Sequence, residues 1–291
     1  MPAGFSEQDQ VRALPTVQMG PEIFAASRET ALWWLTNAGF LINSRGSLVM
    51  IDPAIMLSPD AEGEHETGHT LLVELPITAH QVSRLDAVFY THGDYDHFAP
   101  ATARELARTG ALLVGPPPVA RKLREMGLPK ERVRVARQGE GITVGEALVT
   151  PTPADHPWQI RDPAKFGPPW GPEDCCGYVV ATPDGTIFHP GDTRLMEAHL
   201  RLRGVDVLLL DVSRNQYHLG VADAARLADA LGSPYVIPHH YGSYEAPEAT
   251  AHNPYNGDPD EVKGGIRNAG QRFRVLAPGE RFVVDSGAAC D

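Results

Sequence analysis

Cysteine is scarce: the 291 residues hold three, and two of them, Cys175 and Cys176, are adjacent. That argues against a disulfide framework and suits a reducing cytoplasm. Long apolar runs are also missing. The stretch Val205 to Val212 is only strand-length and is broken by Asp206 and Asp211, so no transmembrane helix and no membrane partner are expected. Positive charge is short. Lys and Arg number 25 against 37 Asp and Glu, a net −12. Nucleic-acid backbone is therefore disfavoured as a partner, because phosphate contact needs clustered cations. A small anionic substrate stays open, since a bound metal reverses the local field. Residues 1–10 lack the basic and apolar regions of a secretory signal, so the expected location is cytoplasmic. No internal repeat, low-complexity linker or composition shift divides the chain. The expectation is an arm over residues 1–30, irregular or a short helix, and a single domain over 31–291.

What is present reads as ordinary globular protein, 42% hydrophobic and 21% charged. Strands are expected at Ala31–Thr36, Gly39–Asn43 and Ser47–Asp52, joined by the turn residues Asn37-Ala38 and Ser44-Arg45-Gly46. Residues 53–80 are polar and rich in Pro, Gly, His and Glu, a long loop or lid. Helices are expected at Ala101–Arg108, Pro118–Met126, Val221–Leu231 and Pro259–Asn268. Further strands are expected at Ala111–Val114, Arg132–Ala136, Ile142–Thr150 (a pair around Gly145), Gly177–Ala181, Thr186–His189, Val205–Asp211, Tyr235–Ile237, Phe273–Val275 and Arg281–Val284. Strands, a helix layer, then strands again suggest an α/β (α+β) arrangement of two sheets sandwiched by helices.

The densest chemistry lies in Thr91-His92-Gly93-Asp94-Tyr95-Asp96-His97, where four metal-capable side chains fall within six positions. Leu85, Ala87, Val88, Phe89 and Tyr90 lead into it, so a core strand ends where the ligands begin. A strand end facing a turn lets several side chains converge. A polar turn with Asp capping the next helix is the bland alternative. Other strand ends carry the same residue types: Asp155-His156, His189-Pro190-Gly191-Asp192, Asp211, and His239-His240-Tyr241. A lone His is most often structural, but recurrence at equivalent positions favours a metal.

This ordered set resembles the metallo-beta-lactamase superfamily. His92-x-Asp94-x-Asp96-His97, then His156, Gly191-Asp192 and Pro238-His-His240-Tyr241 follow its five-part motif, and Leu48 to Pro53 looks like its first strand motif. Leu32-Trp-Trp-Leu35 with Gly39-Phe40 resembles the branch containing ascorbate-6-phosphate lactonase. The resemblance covers roughly residues 31–285 and implies an αββα sandwich, two mixed β-sheets flanked by helices. It implies one metal held by His92, Asp94 and His156, a second by Asp96, His97 and His240, and Asp192 bridging the two. His239 competes with His240, which directly precedes Tyr-Gly as the family's ligand does. Asp94 stands where the family carries a second His. A carboxylate there hardens the site and shifts preference from zinc towards manganese or iron, or leaves Asp94 outside the ligand set.

The implied cofactors are two divalent ions, manganese or zinc, with iron as a further candidate. The implied activity is hydrolysis of a small-molecule lactone or related ester. A phosphodiesterase, a non-haem iron oxidoreductase and a non-catalytic metal-binding scaffold are the alternatives. Asp96 could orient the attacking water, Tyr241 could donate to an oxyanion, and His189 could act from behind Asp192; simple packing and a backbone hydrogen bond are the plain readings of the last two. Arg194 or Arg214 could meet an anionic substrate group, and Trp158 or Trp170 could line its pocket. Self-assembly into a homo-oligomer is left open, with residues 1–29 as one contributor.

Overall fold

The computed structural model of the protein describes residues 10–60, 64–232, 234–245 and 257–285. β1 (Thr30–Thr36), β2 (Gly39–Ser44) and β3 (Ser47–Ile51) form an antiparallel meander in which every residue is buried. Strands covered on both faces read as continuous apolar runs. The pleat sorts them: Leu32, Trp34, Ile42, Val49 and Ile51 face one core, while Ala31, Trp33, Leu41, Leu48 and Met50 face another. β4 (Ala87–Phe89), α1 (Pro100–Leu106), β5 (Leu112–Gly115), α2 (Pro117–Glu125) and β6 (Val133–Val135) follow, the strands adding in parallel. Both helices begin with proline, which is preset for the first turn. They bury Leu106 and Leu123 completely against the sheet, each worth about 1.5–3 kcal/mol.

The second half supplies β7 (Ile142–Val144), β8 (Ala147–Pro153), α3 (Pro163–Phe166), β9 (Cys176–Thr182), β10 (Gly185–His189), α4 (Glu197–Leu200), β11 (Val207–Asp211), α5 (Gly220–Ala230), β12 (Tyr235–His239), α6 (Pro259–Gly265) and β13 (Arg281–Val283). The strands form two mixed sheets, ordered β13-β1-β2-β3-β4-β5-β6 and β12-β11-β10-β9-β8-β7. Tyr178 bridges them: its ring meets Phe89 edge-on and its hydroxyl donates to the Tyr90 carbonyl at 2.8 Å. Flanking helices complete the expected sandwich. No helix among the described residues is long and apolar enough to cross a membrane.

Two expectations are corrected. Phe273–Val275 is not a strand: a short helical turn ends at Arg272, and Phe273 makes only an isolated bridge to Val236. Helix α6 stops at Gly265 instead of Asn268, because the Gly264-Gly265 pair carries the weakest helix propensity short of proline. Residues 10–29 hold a short helical turn, Pro21–Phe24, and bury Met19, Ile23 and Phe24 in the core; residues 1–9 lie outside the described residues. The described part of the 53–80 segment is mostly irregular, as expected, and is fastened to the fold at several points. Glu66 accepts from the Ala101 and Thr102 amides at the start of α1, and Leu72 donates to the Ser243 carbonyl.

Candidate metal centre

β3 and β4 run parallel in one sheet, and β8, β10, β11 and β12 share one direction in the other. Polar residues just beyond or at those C-terminal ends therefore meet: Asp52, His92, His156, Asp192, Asp211 and His240. After β4 the chain curls so that the Asp94 carbonyl accepts from the His97 and Phe98 amides, at 3.0 and 2.7 Å. That turn brings four side chains of one short segment to one place. Gly191 has φ +68°, and a Cβ there would meet the Cys176 carbonyl at 2.9 Å and the Thr91 side chain at 3.0 Å, so only glycine lets Asp192 approach. Left-handed backbone at Asn37, Asp52 and His240 (φ +43°, +45° and +65°) also rings the centre, the usual place for such conformations.

Asp192 Oδ2 lies at the middle. It is 3.1 Å from His97 Nε2, 3.3 Å from His240 Nε2, 3.6 Å from His218 Nδ1, 3.9 Å from His156 Nε2 and 4.0 Å from His92 Nε2. Asp94 Oδ2 faces His92 and His156 at 3.5 and 3.7 Å. Asp96 Oδ2 faces His97 and His240 at 3.7 and 3.6 Å. Two atoms that each bind one ion at about 2.0–2.2 Å stand roughly 3–4 Å apart. The observed spacings fall in that range and are too long for most to be hydrogen bonds.

The ring tautomers follow from the outer partners. His97 Nδ1 donates to Asp52 Oδ2 at 2.8 Å, and His156 Nδ1 donates to the Tyr217 carbonyl at 3.0 Å. Thr91 donates its hydroxyl to Asp52 at 2.5 Å and so accepts from His92 Nδ1 at 2.9 Å. Each ring thus turns a bare Nε2 lone pair inward, as a metal requires. Buried His92 Nε2 and Asp192 Oδ1 have no hydrogen-bond partner among the described residues. The centre fits a cation.

Electrostatics agree. Burial alone would raise the Asp192 pKa, but His97, His240 and His218 outweigh it and hold the carboxyl well below its usual range. Asp94 is likewise held low, with burial opposed by the His156 and His92 hydrogen bonds. Burial depresses His240, yet Asp192 drives it up to about 9, and His97 and His156 are also raised. A divalent ion bound among these groups would take over the charge balance that the rings and carboxylates provide for one another.

Every residue expected as a ligand (His92, Asp94, Asp96, His97, His156, Asp192 and His240) is brought into this cluster. His239 is not; it lies between Phe40 and His189, 5.6 and 4.8 Å between ring centroids. His189 also stays outside. Its Nε2 donates to the Ala38 carbonyl at 3.0 Å and its Nδ1 accepts from the Gly191 amide at 3.1 Å, so backbone occupies both nitrogens and the ring only braces the turn to Asp192. The Tyr241 ring stacks on Trp34 at 5.3 Å, and its hydroxyl finds no partner among the described residues. Arg194 is paired with Asp155 at 2.6 Å and Arg214 with Glu261 at 2.8 Å, which neutralises both candidate anion contacts. Trp158 packs on Phe166 and Arg161, anchoring its loop. Trp170 instead faces the centre, 5.4 Å from the His92 ring and 5.9 Å from His156. Three residues were missed: Asp52 as the anchor of His97, Asn37, whose amide donates to the Asp96 carbonyl at 2.9 Å, and His218.

A family profile described as "Beta-lactamase superfamily domain" matches residues 49–241. A protein of Pyrobaculum arsenaticum, named a metal-dependent hydrolase, is 29% identical over 255 residues, 85% of this chain and 96% of that one. Among solved structures, a metallo hydrolase of the archaeon Ignicoccus hospitalis has a TM-score of 0.62 at 21% identity, covering 87% of this chain and 97% of its own. An isothiocyanate hydrolase from Delia radicum gut bacteria has a TM-score of 0.64 at 19% identity, covering 87% and 99%. These two share the fold.

Proposed function

The chain belongs to the beta-lactamase superfamily and is a metal-dependent hydrolase; on that premise we propose that its centre takes two divalent cations, manganese or zinc, and opens a lactone or related ester of a small molecule. The observation that carries this is Asp192 Oδ2, set between a His92–Asp94–His156 group and an Asp96–His97–His240 group. Bound there, the ions would supply a water acidified to near neutrality and polarise the substrate carbonyl. Asp94, a carboxylate where the family has an imidazole, tilts the donor set towards the harder manganese. Asp96 is held from behind by Asn37 and keeps a carboxylate oxygen for orienting the attacking water. Trp170 closes the side of the His92 and His156 rings and limits bulk water there.

An ester is favoured over a phosphodiester because Arg194 and Arg214 are already paired with carboxylates and the chain is net acidic. The test is a panel of aliphatic lactones against bis-p-nitrophenyl phosphate, using protein reconstituted with manganese or zinc. Lactone turnover that stops on chelation is expected. Turnover of the phosphodiester alone would overturn the ester reading.

A further inference from the structure

The loop between β11 and α5 acts on the centre twice. The Tyr217 carbonyl holds His156 Nδ1 at 3.0 Å, and the next residue turns its own imidazole inward. The His218 ring lies edge-on to His156 and His240, 4.9 and 5.3 Å between centroids. Its Nδ1 is 2.6 Å from Asp211 Oδ2, while Asp211 Oδ1 accepts from the Ser213 amide at 2.8 Å, so the carboxylate is fixed at both oxygens.

His218 offers a nitrogen within 4.8 Å of ligand atoms of Asp192 and His240, but its contacts set it apart from the other four rings. The nitrogen nearer Asp192 is Nδ1, at 3.6 Å. That nitrogen carries the hydrogen donated to Asp211 and so has no lone pair for a cation. Nε2 has no hydrogen-bond partner among the described residues. His218 is buried like the other four imidazoles, 5% exposed beside 4% for His156 and 0% for His97 and His240. An imidazole oriented by a buried carboxylate, beside a reaction centre but outside its ligand set, is arranged for proton transfer.

We propose that His218, held by Asp211, is a catalytic residue that protonates the leaving oxygen of the substrate. This rests on the ester reading above. As the water oxygen adds to the carbonyl carbon, the bond from that carbon to the ring oxygen breaks. The electron pair leaves on the ring oxygen, which takes the proton from His218 Nε2. The imidazole regains a proton from the attacking water, and the product is the hydroxy acid. Asp211 is a positioning residue in this step.

The test compares His218→Gln and Asp211→Asn with the unaltered protein, each loaded with manganese. The substrates are a five-membered aliphatic lactone, whose alkoxide needs a proton, and p-nitrophenyl acetate, whose phenolate does not. Metal content by elemental analysis and the melting temperature are read alongside. His218→Gln should lose about 10²-fold or more in kcat on the lactone and only a few-fold on the aryl ester, with metal content and melting unchanged. Asp211→Asn should show the same selectivity to a smaller degree. Equal loss on both substrates, loss of metal, or no loss would each overturn the assignment of His218. Absence of turnover by the unaltered protein on both esters would instead sink the ester reading beneath it.

Discussion

Asp192→Ala should leave the protein folded but unable to keep its full metal complement, with hydrolysis reduced by about 10³-fold or more. Asp192 Oδ2 lies within 4.0 Å of all five imidazoles, so its removal takes a donor from both groups at once. Metal ions supply several kcal/mol of transition-state stabilisation, and each 1.36 kcal/mol is about tenfold in rate. The fold should survive, because Asp192 follows β10 and caps no helix, and the raised pKa values of His97 and His240 depend on it. Without it those rings lose the carboxylate that raises them. Elemental analysis of purified Asp192→Ala, beside its circular dichroism spectrum, checks this. Full metal occupancy in the variant would mean that the two groups bind independently and that Asp192 bridges nothing.

Asp52→Ala should be costly in a different way. Asp52 is fully buried, accepts from the Thr91 amide and hydroxyl at 2.7 and 2.5 Å, and holds His97 Nδ1 at 2.8 Å. Burial opposes its charge, but His97 more than compensates and keeps its pKa low. Breaking a buried pair by removing one partner costs about 3–5 kcal/mol, here expressed as a lower midpoint in denaturant unfolding of the metal-free protein. Removing the residue that orients a ligand imidazole costs a further 10- to 100-fold in metal affinity, roughly. Calorimetric titration with manganese reads the second effect. Unchanged affinity would show that His97 needs no anchor to point its Nε2 inward.

How much of this was legible in the sequence depends on whether the signal was local. The meander of β1 to β3 could be read almost to the residue, because continuous apolar runs alternate with Asn37-Ala38 and Ser44-Arg45-Gly46 turns. The candidate ligands could be found because each lies at or just beyond a strand end, in a short segment that contains Gly or Pro. Asn37 was hidden by its own success as a turn residue: nothing local distinguishes an Asn that closes a hairpin from one that also holds Asp96. His218 and Asp211 are seven positions apart across a loop, a spacing with no periodic signature, so only the fold pairs them. His189 was drawn towards catalysis because a strand-end His looks the same whichever way the pleat turns it; in the structure it turns to Ala38 and Gly191. His239 and His240 show the same ambiguity between neighbours, and the left-handed backbone at His240 settles which ring enters the centre.

The central claim is that this cluster holds two divalent ions. The most direct measurement is the metal content of protein purified without added metal, by elemental analysis. About two equivalents per chain of manganese or zinc are predicted. Protein that carries one equivalent or less, and takes up no more when manganese or zinc is added, would contradict the account; iron as the dominant metal would move redox chemistry ahead of hydrolysis at Asp94.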